Sequence, residues 1–221
     1  MAAVSQPHPP GGPGLVPRVV LFAKAPRPGL VKTRIAAELD APAAAAIYRV
    51  LLQRTLATLH RFPGELRFTP ADARDEFQAW LPHGWTLADQ GAGDLGVRLR
   101  RAVEHALANG AQAVLLLGAD CPAVEAGDVT EALHALENHD VVFGPASDGG
   151  YWLLGVRQMH PFLFEKMPWS TSSVLPLSLE RAREAGLRTH LLRELRDIDT
   201  LEDWRTWLRT VAGTMGSSPY F

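Results

Sequence analysis

The 221-residue sequence predicts an α/β protein, a three-layer α/β/α sandwich on a mostly parallel central sheet. Three observations carry that prediction. Short unbroken apolar runs at residues 19–22 (VVLF) and 113–117 (AVLLL) have the character of strands buried on both faces. Helical patterning alternates with such runs, and the order strand, helix, strand, helix calls for parallel crossovers that put helices on both sides of a sheet. Segments rich in charge and glycine follow the apolar runs directly, where an open α/β sheet holds its ligand.

The run at 19–22 is the first strand. It empties into a loop carrying Lys24, Arg27, Lys32 and Arg34, with Pro26, Pro28 and Gly29 between them. Four cations so close together repel one another unless an anion sits among them, and phosphate is the natural choice. The plain alternative is a solvated turn. The position after a first strand and before a helix that begins at Thr33 favours the anion site. The glycine spacing fits neither a Walker A loop nor a dinucleotide fingerprint.

Asp40 is placed to cap a helix from Ala41, with Pro42 in its first turn, that runs to about Arg61 and is stopped by Phe62-Pro63-Gly64. Residues 65–68 read as a strand, 72–80 as a helix and 85–87 as a strand. The segment 90–96 (QGAGDLG) is a glycine-rich turn leading into a helix that ends at Asn109-Gly110. As a turn it needs no ligand, and Arg98, Arg100 and Arg101 beyond it read as a solvated face.

After the strand at 113–117, Asp128 and Glu131 have capping-box spacing, and Val129, Leu133 and Leu136 give that helix an apolar stripe. Strands are expected at 141–143 and 153–156. Ser170 or Thr171 is expected to cap a helix reaching about Ala185, residues 189–192 form an edge strand, and 201–211 the last helix. One domain, 18–212, accounts for all of this. Residues 1–17, rich in Pro and Gly, read as a disordered leader without signal-peptide character, and 213–221 as a loose tail.

Composition narrows the function. A net charge of −2 gives no general attraction to nucleic acid or an anionic membrane, so the basic loop is a local feature with a small partner. The single cysteine, Cys121, excludes an intramolecular disulfide framework and suits the cytoplasm. No apolar run approaches the ~20 residues that cross a bilayer.

Asp120 sits at the end of the central buried run, where a carboxylate can meet a ligand; alternatively it only shapes the turn before Pro122. Asp197 and Asp199 flank Ile198, so in an extended segment both face one side and the isoleucine the other. One of them is also a candidate cap for the final helix. Hard divalent cations bind through one or two carboxylates plus substrate phosphates, which Asp120, Asp199 and Asp197 are suited to supply. Asp148, followed by Gly149 and Gly150, either stabilises its own turn or presents its carboxylate to a hydroxyl. Tyr151 and Trp152 then point to opposite faces, one toward the pocket and one into the core.

Together, FAKAPRPGLVKTR at residues 22–34, GADCP at 118–122, GPASDGGYWLLG at 144–155, PWST at 168–171 and DIDTLEDW at 197–204 resemble the nucleotide-diphospho-sugar transferase superfamily with its glycosyltransferase A, Rossmann-like fold. More narrowly the chain resembles the radical-SAM and selenodomain-associated transferase one family, often labelled glycosyltransferases of arsenosugar biosynthesis. The resemblance implies nucleotide binding by Lys24, Arg27, Lys32 and Arg34 with Gly149 and Gly150. It also implies Mg²⁺ or Mn²⁺ on Asp120, and catalytic roles for Asp120, Asp148 and Lys32. Many glycosyltransferases of this fold carry Asp-x-Asp where this chain has Asp120-Cys121-Pro122, so a second metal carboxylate must come from Asp197 or Asp199. A weaker resemblance to phospholactate guanylyltransferases rests on the basic loop and on Asp197 to Thr200.

The expected activity is metal-dependent transfer of a sugar from a nucleotide diphospho-sugar to a small acceptor. The alternatives are nucleotidyl transfer from a nucleoside triphosphate with release of pyrophosphate, and a nucleotide-binding module without turnover.

Overall fold

Alternation along two strands sets the layers. In β1 (Pro17–Lys24), Val19, Leu21 and Ala23 face one layer and Val20 and Phe22 the other. In β4 (Ala113–Gly118), Leu115 and Leu117 face the first layer and Val114 and Leu116 the second. The first layer is built by α2 (Ala41–Leu59) and α5 (Ala126–Ala135), the second by α4 (Leu95–Ala108) and α6 (Val174–Glu184). The computed structural model describes residues 15–215, with side chains to 211.

The other strands are β2 (Gly64–Thr69), β3 (Thr86–Asp89), β5 (Val141–Pro145), β6 (Tyr151–Val156) and β7 (Thr189–Leu191). They join one sheet in the order β3-β2-β1-β4-β6-β5-β7. β1 lies between β2 and β4, parallel to both, and β2 with β3 and β5 with β7 are also parallel. Strict crossover order fails at β6, which runs antiparallel to β4 and to β5. The turn at 146–150 is too short for a crossover, so β6 returns beside β5 as a hairpin and brings Tyr151 to the same end of the sheet as the last residues of β1 and β4.

Asp40 caps α2 as its sequence position requires, accepting from the Ala43 N–H at 2.6 Å. Other local expectations shift. Helix α5 starts one turn early, with Glu125 as N-cap and Asp128 at its third position accepting from the Glu125 N–H at 2.7 Å, while Glu131 pairs with His190 instead. Helix α6 starts late, after Ser173, because the Thr171 hydroxyl is spent on the Pro168 carbonyl at 2.7 Å and Ser170 is left-handed at φ 64°. The helix expected at 72–80 is a 3₁₀ turn (Ala71–Ala73) followed by a short α3 (Arg74–Gln78).

Two further helices are α1 (Thr33–Glu38), which follows the basic loop and starts where the sequence places it, and α7 (Leu201–Met215), which packs on α1 through Trp204 and Trp207. The ends differ from expectation. Pro17 already belongs to β1, the Val16 N–H donates to Gln112 Oε1 at 3.0 Å, and residues 213–215 continue α7. Residues 1–14 of the expected leader and 216–221 of the expected tail lie outside the described residues.

A candidate active-site cleft at the carboxyl end of the sheet

The ends of β1 and β4 lie side by side, with Phe22 in register with Gly118, and the chain beyond each contributes to one cleft. Past β1, the basic loop turns through Gly29 and closes on Lys32, whose backbone is left-handed (φ 47°, ψ 48°). That conformation is uncommon for a residue with a side chain, and here it accompanies a functional-looking position. It places Nζ 2.5 Å from Asp120 Oδ1 and 3.0 Å from Asp199 Oδ1. Burial opposes the charge of this ammonium, but the two carboxylates outweigh it and raise the pKa above the ordinary lysine value.

The carboxylates arrive from distant sequence. Asp120 follows β4, and its carbonyl accepts from the Ile198 N–H at 2.9 Å, which lays residues 197–199 beside it. Ile198 is buried with Ile35, Ala44, Ile47 and Leu51, while Asp197 and Asp199 both line the cleft. The last helix is capped without Asp199. Thr200 and Asp203 form a reciprocal pair there, with Asp203 Oδ2 accepting from the Thr200 N–H at 2.9 Å and Thr200 Oγ1 accepting from the Asp203 N–H at 3.2 Å.

Asp197 has the most perturbed carboxyl in the cleft. Burial first, then the charges of Asp120, Asp148 and Asp199, push it up to about 7. Asp148 sits on the β5–β6 turn, and its Oδ1 accepts from the Gly150 N–H at 2.8 Å. It therefore shapes its turn and also faces the cleft. Gly149 (φ 88°) makes that turn possible in two ways. A Cβ there would lie 2.4 Å from the Ser172 carbonyl, and the Gly149 carbonyl accepts from the Leu175 N–H at 2.9 Å, which docks the turn on the start of α6.

The cleft encloses about 490 Å³ and is lined by Lys24, Lys32 and Arg34, by Asp120, Asp148, Asp197 and Asp199, and by an apolar wall containing Phe22, Leu99, Tyr151 and Trp169. Gly150 lines it as well. Arg27 does not join this lining, because its guanidinium is held by Asp72 at 3.0 Å and Glu76 at 2.5 Å. A roomier hollow of about 840 Å³ lies near the amino ends of β1 and β4, with none of these residues in its walls.

Three contributors escape a reading from motifs. Tyr48 of α2 accepts from the Lys24 N–H at 3.0 Å, and burial followed by the Asp120 charge raises its phenol pKa, keeping it protonated. Its signal is a hydroxyl on an apolar helix stripe. Gln90 is buried at the end of β3 and donates to the Ala23 and Arg67 carbonyls, both at 3.1 Å, tying the glycine-rich turn to the sheet. Trp169 belongs to the PWST motif but was given no role by its spacing.

An implied divalent ion can be tested against the donors present. Asp120 and Asp199 already share one cation, the Lys32 ammonium, and both offer hard oxygen atoms. The Cys121 thiol points to the Arg196 carbonyl at 3.5 Å, and burial raises its pKa to about 12, so it neither competes as a soft ligand nor acts as a nucleophile. Among the described residues no group of three or more His, Cys, Asp or Glu side chains is spaced to cage an ion. Two carboxylates do not complete an ion's shell, so an ion held here would draw its remaining ligands from substrate phosphate and water, as Mg²⁺ usually does.

Comparison with known proteins places this geometry. A solved structure from Desulfovibrio desulfuricans G20, provisionally named a nucleotide-diphospho-sugar transferase, is 33% identical over 89% of this chain and 87% of its own, with a TM-score of 0.84. A cytidylyltransferase from Leptospira borgpetersenii serovar Hardjo-bovis (strain JB197) is 15% identical, covering 90% of this chain and 87% of that one, with a TM-score of 0.57. A 4-diphosphocytidyl-2C-methyl-D-erythritol synthase from Anaerococcus prevotii DSM 20548 is 12% identical, with 88% and 96% covered and a TM-score of 0.59. The last two show a shared fold alone. No curated protein matches in sequence. Residues 51–171 match the family described as uncharacterized protein conserved in bacteria (DUF2064). The chain belongs to that family and, by its likeness to the Desulfovibrio desulfuricans structure, to the nucleotide-diphospho-sugar transferase superfamily.

Proposed function

We propose that this transferase moves a glycosyl group from a nucleotide diphospho-sugar to a small acceptor, with Mg²⁺ or Mn²⁺ held by Asp120 and Asp199 and with Asp197 beside them. One observation supports this most: carboxylates from residues 120 and 199 converge on a cation in a cleft whose rim carries Lys24 and Arg34. When bound, such an ion supplies charge stabilisation for the leaving diphosphate. Lys24 and Arg34 neutralise donor phosphates from the solvent side. Lys32, almost fully buried and kept charged by its partners, is a pre-oriented cation where water is scarce, which is where fixed charge lowers a barrier most. Asp148 orients the acceptor hydroxyl. A diphosphate leaving group needs little general-acid help, so a cleft without a Ser-His-Asp triad suits the task.

A second reading, nucleotidyl transfer from a triphosphate, is favoured by one feature. The second carboxylate comes from Asp199 near the end of the chain rather than from an Asp-x-Asp after β4. Incubation with sugar nucleotides or nucleoside triphosphates, an acceptor pool and Mg²⁺ or Mn²⁺ separates the two. Free nucleoside diphosphate supports glycosyl transfer, and pyrophosphate supports the second reading. Ligand binding that survives Asp120→Asn, with no product under any metal, supports a binding module instead. The reading places the protein in the cytoplasm, in keeping with a free, buried Cys121; among the described residues no helix is long and apolar enough to cross a membrane.

A further inference from the structure

We infer that the acceptor is an uncharged hydroxyl compound with an apolar face, seated against Tyr151 and Trp169 with Asp148 at its edge. This deepens the reading of the cleft as a transfer site by naming the acceptor class. The cleft is asymmetric in charge. Every cation that lines it comes from one stretch, Lys24 at the end of β1, Lys32 in the loop and Arg34 at the start of α1, and Lys32 is already engaged by two carboxylates.

The other wall belongs to the second layer and is apolar, with Phe22, Leu95, Leu99, Tyr151 and Trp169. Trp169 stands edge-on to Tyr151 with ring centroids 6.4 Å apart, and Gly96 leaves the room for it, since a Cβ there would lie 2.9 Å from the indole nitrogen. The Tyr151 hydroxyl is buried with no hydrogen-bond partner among the described residues. A buried polar group without a partner is costly and asks for an explanation, and a ligand hydroxyl or ether oxygen supplies one once the side chains around it shift to admit the ligand.

Charge excludes the anionic acceptors. No cation among the described residues lines the Tyr151–Trp169 wall, and Asp148, three residues before Tyr151, lines the cleft beside it. A phosphate or carboxylate on the acceptor would meet that charge with no cation on the same wall to offset it. A neutral hydroxyl meets a carboxylate able to accept its hydrogen bond. In the transfer, the acceptor oxygen bonds to the anomeric carbon, the bond from that carbon to the diphosphate oxygen breaks with its electron pair leaving on the diphosphate, and the hydroxyl proton passes through the Asp148 carboxylate to water.

A matched pair of probes tests this without turnover: phenyl β-D-glucopyranoside and phenyl β-D-glucuronide, which differ only in a carboxylate for a hydroxymethyl group. By saturation-transfer NMR and calorimetry on the full chain, the glucoside is expected to bind about tenfold more tightly than the glucuronide. Trp169→Ala should weaken the glucoside about tenfold, and Asp148→Asn should shrink the discrimination to about twofold. Tyr151→Phe, which keeps the ring, guards against misfolding as the cause and should weaken the glucoside severalfold. Equal binding of the two probes, tighter glucuronide, or glucoside affinity indifferent to Trp169 overturns the inference. Glucuronide held through the basic loop reveals itself by loss in Arg34→Ala and not in Trp169→Ala, and also counts against it. The outcome is independent of the donor: glucoside binding without turnover of any sugar nucleotide leaves this acceptor wall standing and removes the proposed reaction.

Discussion

Lys32 and Arg27 sit five residues apart on one loop, and each is held by two carboxylates, yet they do opposite things. Arg27 binds Asp72 and Glu76 of the next βα segment at the protein surface. Lys32 is almost fully buried and joins Asp120 to Asp199, 167 residues away from it in sequence. The first pair is a surface brace. The second ties three separate chain segments around the cleft, in surroundings where an unpaired charge is expensive and a paired one acts strongly on a ligand. Partners and burial, rather than charge on the loop, separate the cleft residue from the surface brace.

The most severe way to test the contrast is to remove the buried end. Asp120→Asn keeps shape and deletes charge; the expected result is a loss of about 10²–10³ in kcat/KM with an unchanged fold, as for removal of a single stabilising group in a preorganised site. Lys32→Met should cost about as much. Steady-state kinetics alongside circular dichroism checks both. Activity within a few-fold of the parent in Asp120→Asn would leave the cleft without its central residue.

Next comes Asp197, which carries the strain of the acidic side. Its folded pKa of about 7 lies above the unfolded carboxylate value of about 4, so the folded state holds the proton more tightly. Stability contributed by this group is therefore highest in acid and falls as pH rises from about 4 to about 7. Asp197→Asn should match the parent near pH 4 and exceed it at pH 8 by on the order of 4 kcal/mol, a rise of roughly ten degrees in Tm. Thermal melts in EDTA across that range decide it, and parallel pH curves for the two proteins would show that Asp197 is not held protonated.

Gly149 extends the test to the turn that presents Asp148. Gly149→Ala forces a side chain onto a backbone at φ 88° and into the Ser172 carbonyl, so a loss of about 2 kcal/mol is expected, with the turn displaced from α6. Urea unfolding measures it. Unchanged stability would mean that the turn is not docked as described.

Much of this was legible in the sequence, for reasons that differ by residue. Asp40 and the apolar runs at 19–22 and 113–117 act through neighbours a few positions away, so local pattern suffices. The alternation that hides Ile198 and exposes Asp197 and Asp199 is equally local. What pattern missed depends on distant partners. Arg27 and Lys32 look alike until Asp72 and Glu76, or Asp120 and Asp199, are placed in space. Asp128 reads as an N-cap until Arg193 is seen on its carboxylate at 2.6 Å and the helix is found to start earlier. The direction of β6 was also present in the sequence, in the shortness of the turn at 146–150, but the alternation of strands and helices masks it.

The smallest expected effect closes the comparison. Arg27→Ala removes two ion pairs, one of them at 2.5 Å, which by distance alone would look decisive. Arg27 is about one-third exposed and its partners are more so, at 70% for Asp72 and 40% for Glu76, which leaves water and salt free to screen both pairs. The loss in stability should be small and should shrink further in 0.5 M NaCl, while kcat/KM for the donor stays within about twofold because Arg27 does not line the cleft. A tenfold rise in KM for a phosphorylated donor would place Arg27 on the phosphates after all and return it to the anion site; an unchanged KM with a small, salt-sensitive shift in the urea midpoint leaves the loop divided between bracing and binding.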